Sequence, residues 1–158
     1  MLKGRKIQLK FDDHESKNII INNGIGQGDL LSMVLYQYYN ADLLDVPALP
    51  SEFAAAYVDD TILVATAKMF EETHNMLINM MMKKGRALQW VNEHNLKFKL
   101  SKLALMDFVH QCKQISRPPL WIAGMAVEAS KSVKYLGIYL NQHLSWREQE
   151  AYTTNVTF

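Results

Sequence analysis

The chain has 158 residues, 49% of them apolar, and 17 basic against 16 acidic side chains leave a formal charge of +1. That is one ordinary domain with material for a sizeable core, which excludes global disorder, and the near-neutral balance lacks the basic excess common among nucleic-acid binders, so local patches decide. A lone Cys112 excludes an internal disulfide, the histidines (His14, His74, His94, His110 and His143) lack zinc-ligand spacing, and the longest apolar runs fall well short of membrane length.

Met1-Leu2-Lys3-Gly4-Arg5 carries no secretory signal, so the expected setting is intracellular and soluble, in cytoplasm or nucleus. Residues 5–11 alternate polar and apolar, which predicts a half-buried strand with Ile7, Leu9 and Phe11 on one face. Asp12 to Ser16 reads as a turn, and Asn18 to Asn22 as the returning strand of a hairpin. Gly24 to Asp29 is a glycine-rich loop, with Asp29 placed to cap a helix over Leu30 to Leu44. That segment is apolar on most sides, which predicts a largely buried helix. Pro47 and Pro50 close a short linker.

Two short apolar runs follow, Phe53 to Ala56 and Ile62 to Ala65, with Tyr57-Val58-Asp59-Asp60 between them. Each run suits a buried strand, and together they predict a hairpin with acid at its tip. Carboxylate oxygens held at a tight turn suit a hard divalent cation such as Mg²⁺. Residues 68–94 carry Phe70, Leu77, Met80, Met81, Leu88 and Val91 at helical spacing, so one long helix is expected, ending at Asn95. Within it, Met80-Met81-Met82 reads as core packing plus one exposed methionine, ahead of an adaptable binding surface. Leu103 to Val109 is strand-like. Trp121-Ile122 and Ala126-Val127 flank Gly124 as a small hairpin, Val133 to Leu140 reads as a further strand, and the tail from Ser145 begins like a helix. Strands in hairpins with helices on one face of an antiparallel sheet give an α+β fold class.

Four of these stretches carry a resemblance. Gly24-Ile25-Gly26-Gln27-Gly28-Asp29-Leu30-Leu31-Ser32 resembles the Gly-x-Pro-Gln-Gly-Ser-Pro-Leu-Ser motif of reverse transcriptases, and Tyr57-Val58-Asp59-Asp60 resembles their Tyr-x-Asp-Asp signature. Asn95 to Lys102 is similar to the segment after the palm helix that ends in lysine. Lys134-Tyr135-Leu136-Gly137, with Trp146 beyond it, is similar to the Lys-Tyr-Leu-Gly element of retrotransposon enzymes without long terminal repeats. The four occur in the family's order over almost the whole chain. The resemblance is to the palm portion of a LINE-like reverse transcriptase, truncated. Gly26 and Asp29 stand where many members have proline and serine, which resembles fungal-type elements. Residues 1–144 are then expected to be a partial palm domain, and 145–158 the start of a truncated connection or thumb.

The resemblance implies an RNA-directed DNA polymerase that extends a DNA primer on an RNA template with dNTPs, using two Mg²⁺ ions. It implies Asp59 as a metal ligand with Asp60 sharing or supporting the site, and both as the catalytic pair. Tyr57 and Val58 would lie against the primer end and incoming nucleotide. Gly26, Gln27 and Gly28 would touch template and nucleotide, where glycine lets a backbone approach closely. Lys102 would face the triphosphate, with a plain surface lysine as the equal alternative. Leu136 and Gly137 would belong to the hairpin that grips the primer. The family's further catalytic aspartate lies upstream of Met1, with the fingers; most of the thumb lies downstream. Asp12 and Asp13 do not replace that aspartate, because the family places their turn away from the metals. The expectation is an incomplete palm, weak in metal binding, inactive alone, with an exposed sheet edge able to pair with another chain. The alternative is a non-catalytic nucleic-acid-binding or interaction module, in which Lys97, Lys99 and Lys102 interleaved with Phe98 track a phosphate backbone. An RNA-directed RNA polymerase palm is disfavoured by Val58, since those enzymes usually have glycine before the paired aspartates.

Overall fold

The computed structural model describes residues 3–22, 24, 26, 30–109 and 117–156, with backbone alone at 155 and 156. Gln27, Gly28, the proposed cap Asp29, His110 and Cys112 lie outside the described residues. Two compact units are present, residues 1–41 and 42–158. This division reflects compactness and is separate from the palm boundary expected at 144.

In the first unit β1 (Arg5–Ile7) pairs antiparallel with β4 (Ile19–Ile21), and β2 (Lys10–Phe11) with β3 (His14–Glu15). These are two stretches of one hairpin. Between them Gln8 and Leu9 stand opposite Ser16, Lys17 and Asn18, so the returning strand carries one extra residue, a bulge. Ser16 patches it: its amide donates to the Leu9 carbonyl at 2.8 Å, and its hydroxyl accepts the Leu9 amide at 2.9 Å. The expected continuous strand over 5–11 is interrupted for this reason.

α1 (Leu30–Asn40) forms as expected but is not the buried helix predicted. Its buried residues are Ser32 and Asn40, whereas Leu30, Leu31, Val34 and Tyr38 are exposed, Tyr38 to 83%. A unit of one narrow ribbon and one helix has too little surface to enclose a helix that is apolar all round.

A 3₁₀ turn over Ala41–Asp45 leads to the second unit, where Leu43 and Val46 enter the core. β5 (Glu52–Tyr57) and β6 (Asp60–Ala65) form the expected hairpin. Glu52 opens it, buried, and closes the proline linker: one carboxylate oxygen accepts the Ala48 amide at 2.7 Å and the Leu49 amide at 3.3 Å. Neither strand is buried on both faces. Leu63 and Ala65 pack on the core, while Phe53, 58% exposed, and its partner Val64 share the open face.

The long helix expected over 68–94 is two helices, α2 (Phe70–Met82) and α3 (Ala87–Glu93). The chain leaves α2 at Lys83, where ψ is 150°, and turns towards α3 through Gly85 at φ +79°, a left-handed conformation open to glycine without steric cost. Asn95, at φ 54°, stops α3 as expected. Met80 is fully buried and Met81 nearly so, while Met82 is 48% exposed, which is the core-plus-one reading of that run. Leu103 to Val109 is no strand. A single parallel bridge joins Leu105 to Ala129, and the Val109 amide donates to the Gln142 carbonyl at 3.0 Å.

β7 (Leu120–Ile122) and β8 (Met125–Val127) are the predicted small hairpin, turning at Ala123-Gly124 with both φ positive. The single strand read over Val133 to Leu140 is a hairpin, β9 (Ser132–Tyr135) with β10 (Ile138–Asn141), because Leu136 and Gly137 adopt φ 48° and 85° and reverse the chain. α4 (Arg147–Val156) realises the helical start seen from Ser145 and docks on β10. Among the described residues every strand belongs to a two-stranded ribbon. The expected antiparallel sheet with helices on one face is thus replaced by separate hairpins, because each pairing is made by its own local turn. The α+β class stands. The core of the second unit gathers Leu43, Met80, Trp90, Val91, Leu105, Leu120, Ile122 and Val127 between α2, α3 and the β7–β8 ribbon. No helix of the described residues is long and apolar enough to cross a membrane.

Asn141 fastens α4. Its amide nitrogen donates to the Ser145 hydroxyl at 2.6 Å and to the Glu148 carboxylate, and its oxygen accepts the His143 and Ser145 amides at 3.1 and 2.9 Å. Asn141→Ala removes all four and is expected to destabilise by about 2–4 kcal/mol. Thermal denaturation with the helical signal as readout checks this; an unchanged midpoint would show that solvent replaces the network.

Candidate active site

β5 and β6 pair in register from Glu52↔Ala65 to Tyr57↔Asp60, which leaves Val58 and Asp59 as a two-residue turn. Only the first of these has positive φ, Val58 at 55°, the pattern of a type II′ turn. Glycine normally fills that position. A β-branched residue there holds strain on the order of 1–3 kcal/mol. The strain sits immediately before the two carboxylates. Val58→Gly is expected to raise stability by about 1 kcal/mol, relief of strain outweighing glycine's greater chain entropy. Equilibrium unfolding measures it, and a loss of stability would show that the turn is relaxed with valine.

Tyr57, Asp59 and Asp60 are exposed, and among the described residues neither aspartate forms an ion pair. The turn therefore offers two free carboxylates to solvent. Mg²⁺ asks for near-octahedral oxygen coordination. No group of three or more His, Cys, Asp or Glu side chains gathers anywhere among the described residues. Asp59 and Asp60 thus fit a part of a divalent-cation site and do not complete one.

The other expected site residues fall as follows. The Gly26 amide donates to the Ser32 hydroxyl at 3.1 Å, joining the glycine loop to α1; Gln27 and Gly28 lie outside the described residues. Lys102 is exposed at the end of a 3₁₀ turn, Leu100–Lys102, and bonds to neither carboxylate. Leu136 and Gly137 form the exposed tip of the β9–β10 hairpin. That tip is brought to the carboxylate turn by Tyr135, whose hydroxyl lies 3.5 Å from the Asp60 carbonyl oxygen. The sequence places Tyr135 in the Lys-Tyr-Leu-Gly element but assigns it no role; its signal is a tyrosine directly before a Leu-Gly turn. Lys97 and Lys99 are exposed, but Phe98 between them packs against the core, so it is no stacking platform. A cation-aromatic cluster does occur elsewhere, with the Lys134 ammonium 4.7 Å from the Tyr152 ring centroid and 5.4 Å from that of Tyr139.

The family model described as "Reverse transcriptase (RNA-dependent DNA polymerase)" matches residues 2–140. The chain is 24% identical to the "RNA-directed DNA polymerase from mobile element jockey" of Drosophila funebris over 98% of its own length and 17% of that protein's. It is also 24% identical to the "Probable RNA-directed DNA polymerase from transposon X-element" of Drosophila melanogaster, over 92% of its own length and 16% of that protein's. The chain thus spans about a sixth of the length of these relatives. Neither is a fungal element. No solved structure matches.

Proposed function

Because this chain belongs to the reverse transcriptase (RNA-dependent DNA polymerase) family, and to its LINE-like, non-long-terminal-repeat type, we propose that it forms palm machinery of an RNA-directed DNA polymerase. In this reading it engages an RNA template, a DNA primer and a dNTP, in an intracellular setting. The observation that carries it is the strained two-residue turn that presents Asp59 and Asp60 to solvent. Two Mg²⁺ ions, when bound in such enzymes, activate the primer hydroxyl and steady the triphosphate. This chain's residues supply two carboxylates towards that chemistry, so the chain is proposed to be inactive until a further carboxylate is added. The open edges of the β5–β6 ribbon are where a strand bearing it, from another chain, would pair. Tyr57 and Val58 would contact the primer end and nucleotide, Gly26, Gln27 and Gly28 the template side, and Lys102 the triphosphate. Leu136 and Gly137 would hold the primer.

The test is binding of a fluorescent DNA primer annealed to an RNA template. Binding is expected to be salt-sensitive, with log K falling linearly against log salt concentration. Absence of binding at low salt would sink this reading. The incomplete carboxylate set favours a second reading, a non-catalytic nucleic-acid-binding or interaction module using exposed Lys97, Lys99 and Lys102. Undiminished binding by the Lys97→Ala, Lys99→Ala, Lys102→Ala triple variant would argue against that module.

A further inference from the structure

Two hairpins that lie far apart in sequence are joined by a hydrogen bond between the Tyr135 hydroxyl and the Asp60 carbonyl. Asp60 is the first strand residue after the carboxylate turn, paired with Tyr57 across it. Tyr135 is the last strand residue before the Leu136-Gly137 turn, paired with Ile138 across it. The Tyr135 hydroxyl reaches to 3.5 Å from the Asp60 carbonyl oxygen. The contact therefore joins the strand ends that anchor each turn, not the bodies of the ribbons. Both anchored turns are held by positive φ, Val58 at 55° on one side and Leu136 at 48° with Gly137 at 85° on the other. Such turns have few alternative shapes, so displacement of one strand end moves its tip as a unit.

The contact is also adjustable. It is longer than the usual O–H···O range, so a shift of about 0.5 Å makes or loosens it. The rest of the β9–β10 ribbon is fixed independently, through the Tyr139 amide on the Gln149 side chain at 2.9 Å and through Asn141 on α4. Losing the Tyr135 hydroxyl would therefore free the carboxylate turn without releasing the ribbon.

We propose that Tyr135 is a positioning residue that couples the Leu136-Gly137 tip to the Asp59-Asp60 turn. It fixes where the carboxylates stand relative to whatever strand the tip holds. The coupling role rests on the polymerase reading above; the tether itself does not.

The experiment is amide NMR and hydrogen exchange on the full chain and on Tyr135→Phe, first free and then with the annealed RNA–DNA primer–template. In the free protein, Tyr135→Phe is expected to raise exchange at Asp60 and Thr61 by about two- to threefold, the loss of one long hydrogen bond, and to leave Tyr139 and Asn141 unmoved. With nucleic acid, the wild type is expected to show amide shifts at Val58 to Thr61 that Tyr135→Phe lacks at equal occupancy. Unchanged exchange at Asp60 and Thr61 overturns the tether. Turn shifts that survive in Tyr135→Phe overturn the coupling. Failure of both proteins to bind nucleic acid refutes the polymerase reading and leaves the tether standing on the free-state comparison. If Tyr135→Phe does not fold, the wild type decides: absence of a nuclear Overhauser contact between the Tyr135 ring and Asp60 or Thr61 overturns the proposal.

Discussion

Purified alone, the chain is expected to extend no primer in the presence of Mg²⁺. Asp59→Ala is expected to abolish extension, about a thousandfold or more, in any assembly that restores it. The first half follows from the carboxylate count: Asp59 and Asp60 stand free at one turn, and no third acidic side chain joins them among the described residues. The second follows from their placement, because Asp60 alone stands beside Asp59, and among the described residues no further acidic side chain joins the pair to replace a lost ligand. Product length on a denaturing gel, with and without Asp59→Ala, reads both. Extension by the wild type alone, lost in Asp59→Ala, would mean that the chain or a pair of copies completes the site.

The largest loss of stability is expected from His74→Ala, about 3–5 kcal/mol, or roughly 10 °C or more in melting temperature for a chain of this size. His74 on α2 and Asp107 are 4% and 5% exposed, with the imidazole Nε2 3.0 Å from a carboxylate oxygen. Among the described residues the remaining ring nitrogen and carboxylate oxygen of the pair have no hydrogen-bond partner. Each group's burial is thus compensated by the other alone. Removing the ring strands the carboxylate in the interior beside the core. The double variant His74→Leu, Asp107→Leu should lose far less, because no polar group is left behind. Equal losses in the single and double variants would show that packing, not polar pairing, sets the cost. Chemical denaturation of the three proteins distinguishes these outcomes.

The hairpins were legible where residue type announces the turn. Gly124 sits in one, and Asp12 and Asp13 in another, so both were found. The residue pattern hid the β9–β10 reversal, which only the resemblance implied, because Leu136 continues an apolar run yet occupies the first left-handed position of the turn. The break at Gly85 was missed for the opposite reason. A lone glycine inside a helical pattern is often tolerated, and nothing in the residue pattern shows that the chain leaves α2 at Lys83 and turns at Gly85 with positive φ. For α1, an all-round apolar pattern has no direction, so sequence could not tell which face, if any, is covered. At the site, Asp59 and Asp60 were legible as the tip of a hairpin, because the apolar runs on both sides fix its register. The Tyr135–Asp60 contact and the His74–Asp107 pair were not. Both join residues that no local period relates, and only three-dimensional packing brings them within reach.

The ribbon-only pairing of the strands has a kinetic consequence. Among the described residues every strand is paired within its own hairpin, β1 with β4 around the inner β2–β3 pair and each of the others with the strand next to it, so strand pairing closes only short loops. Hairpins of this kind form in about 1–10 μs, and their stabilities need not be shared. The second unit should therefore assemble from pre-formed ribbons collapsing on α2 and α3. Its slow step would be burial of Met80, Trp90 and Leu105, with the carboxylate turn already shaped before that core is dry.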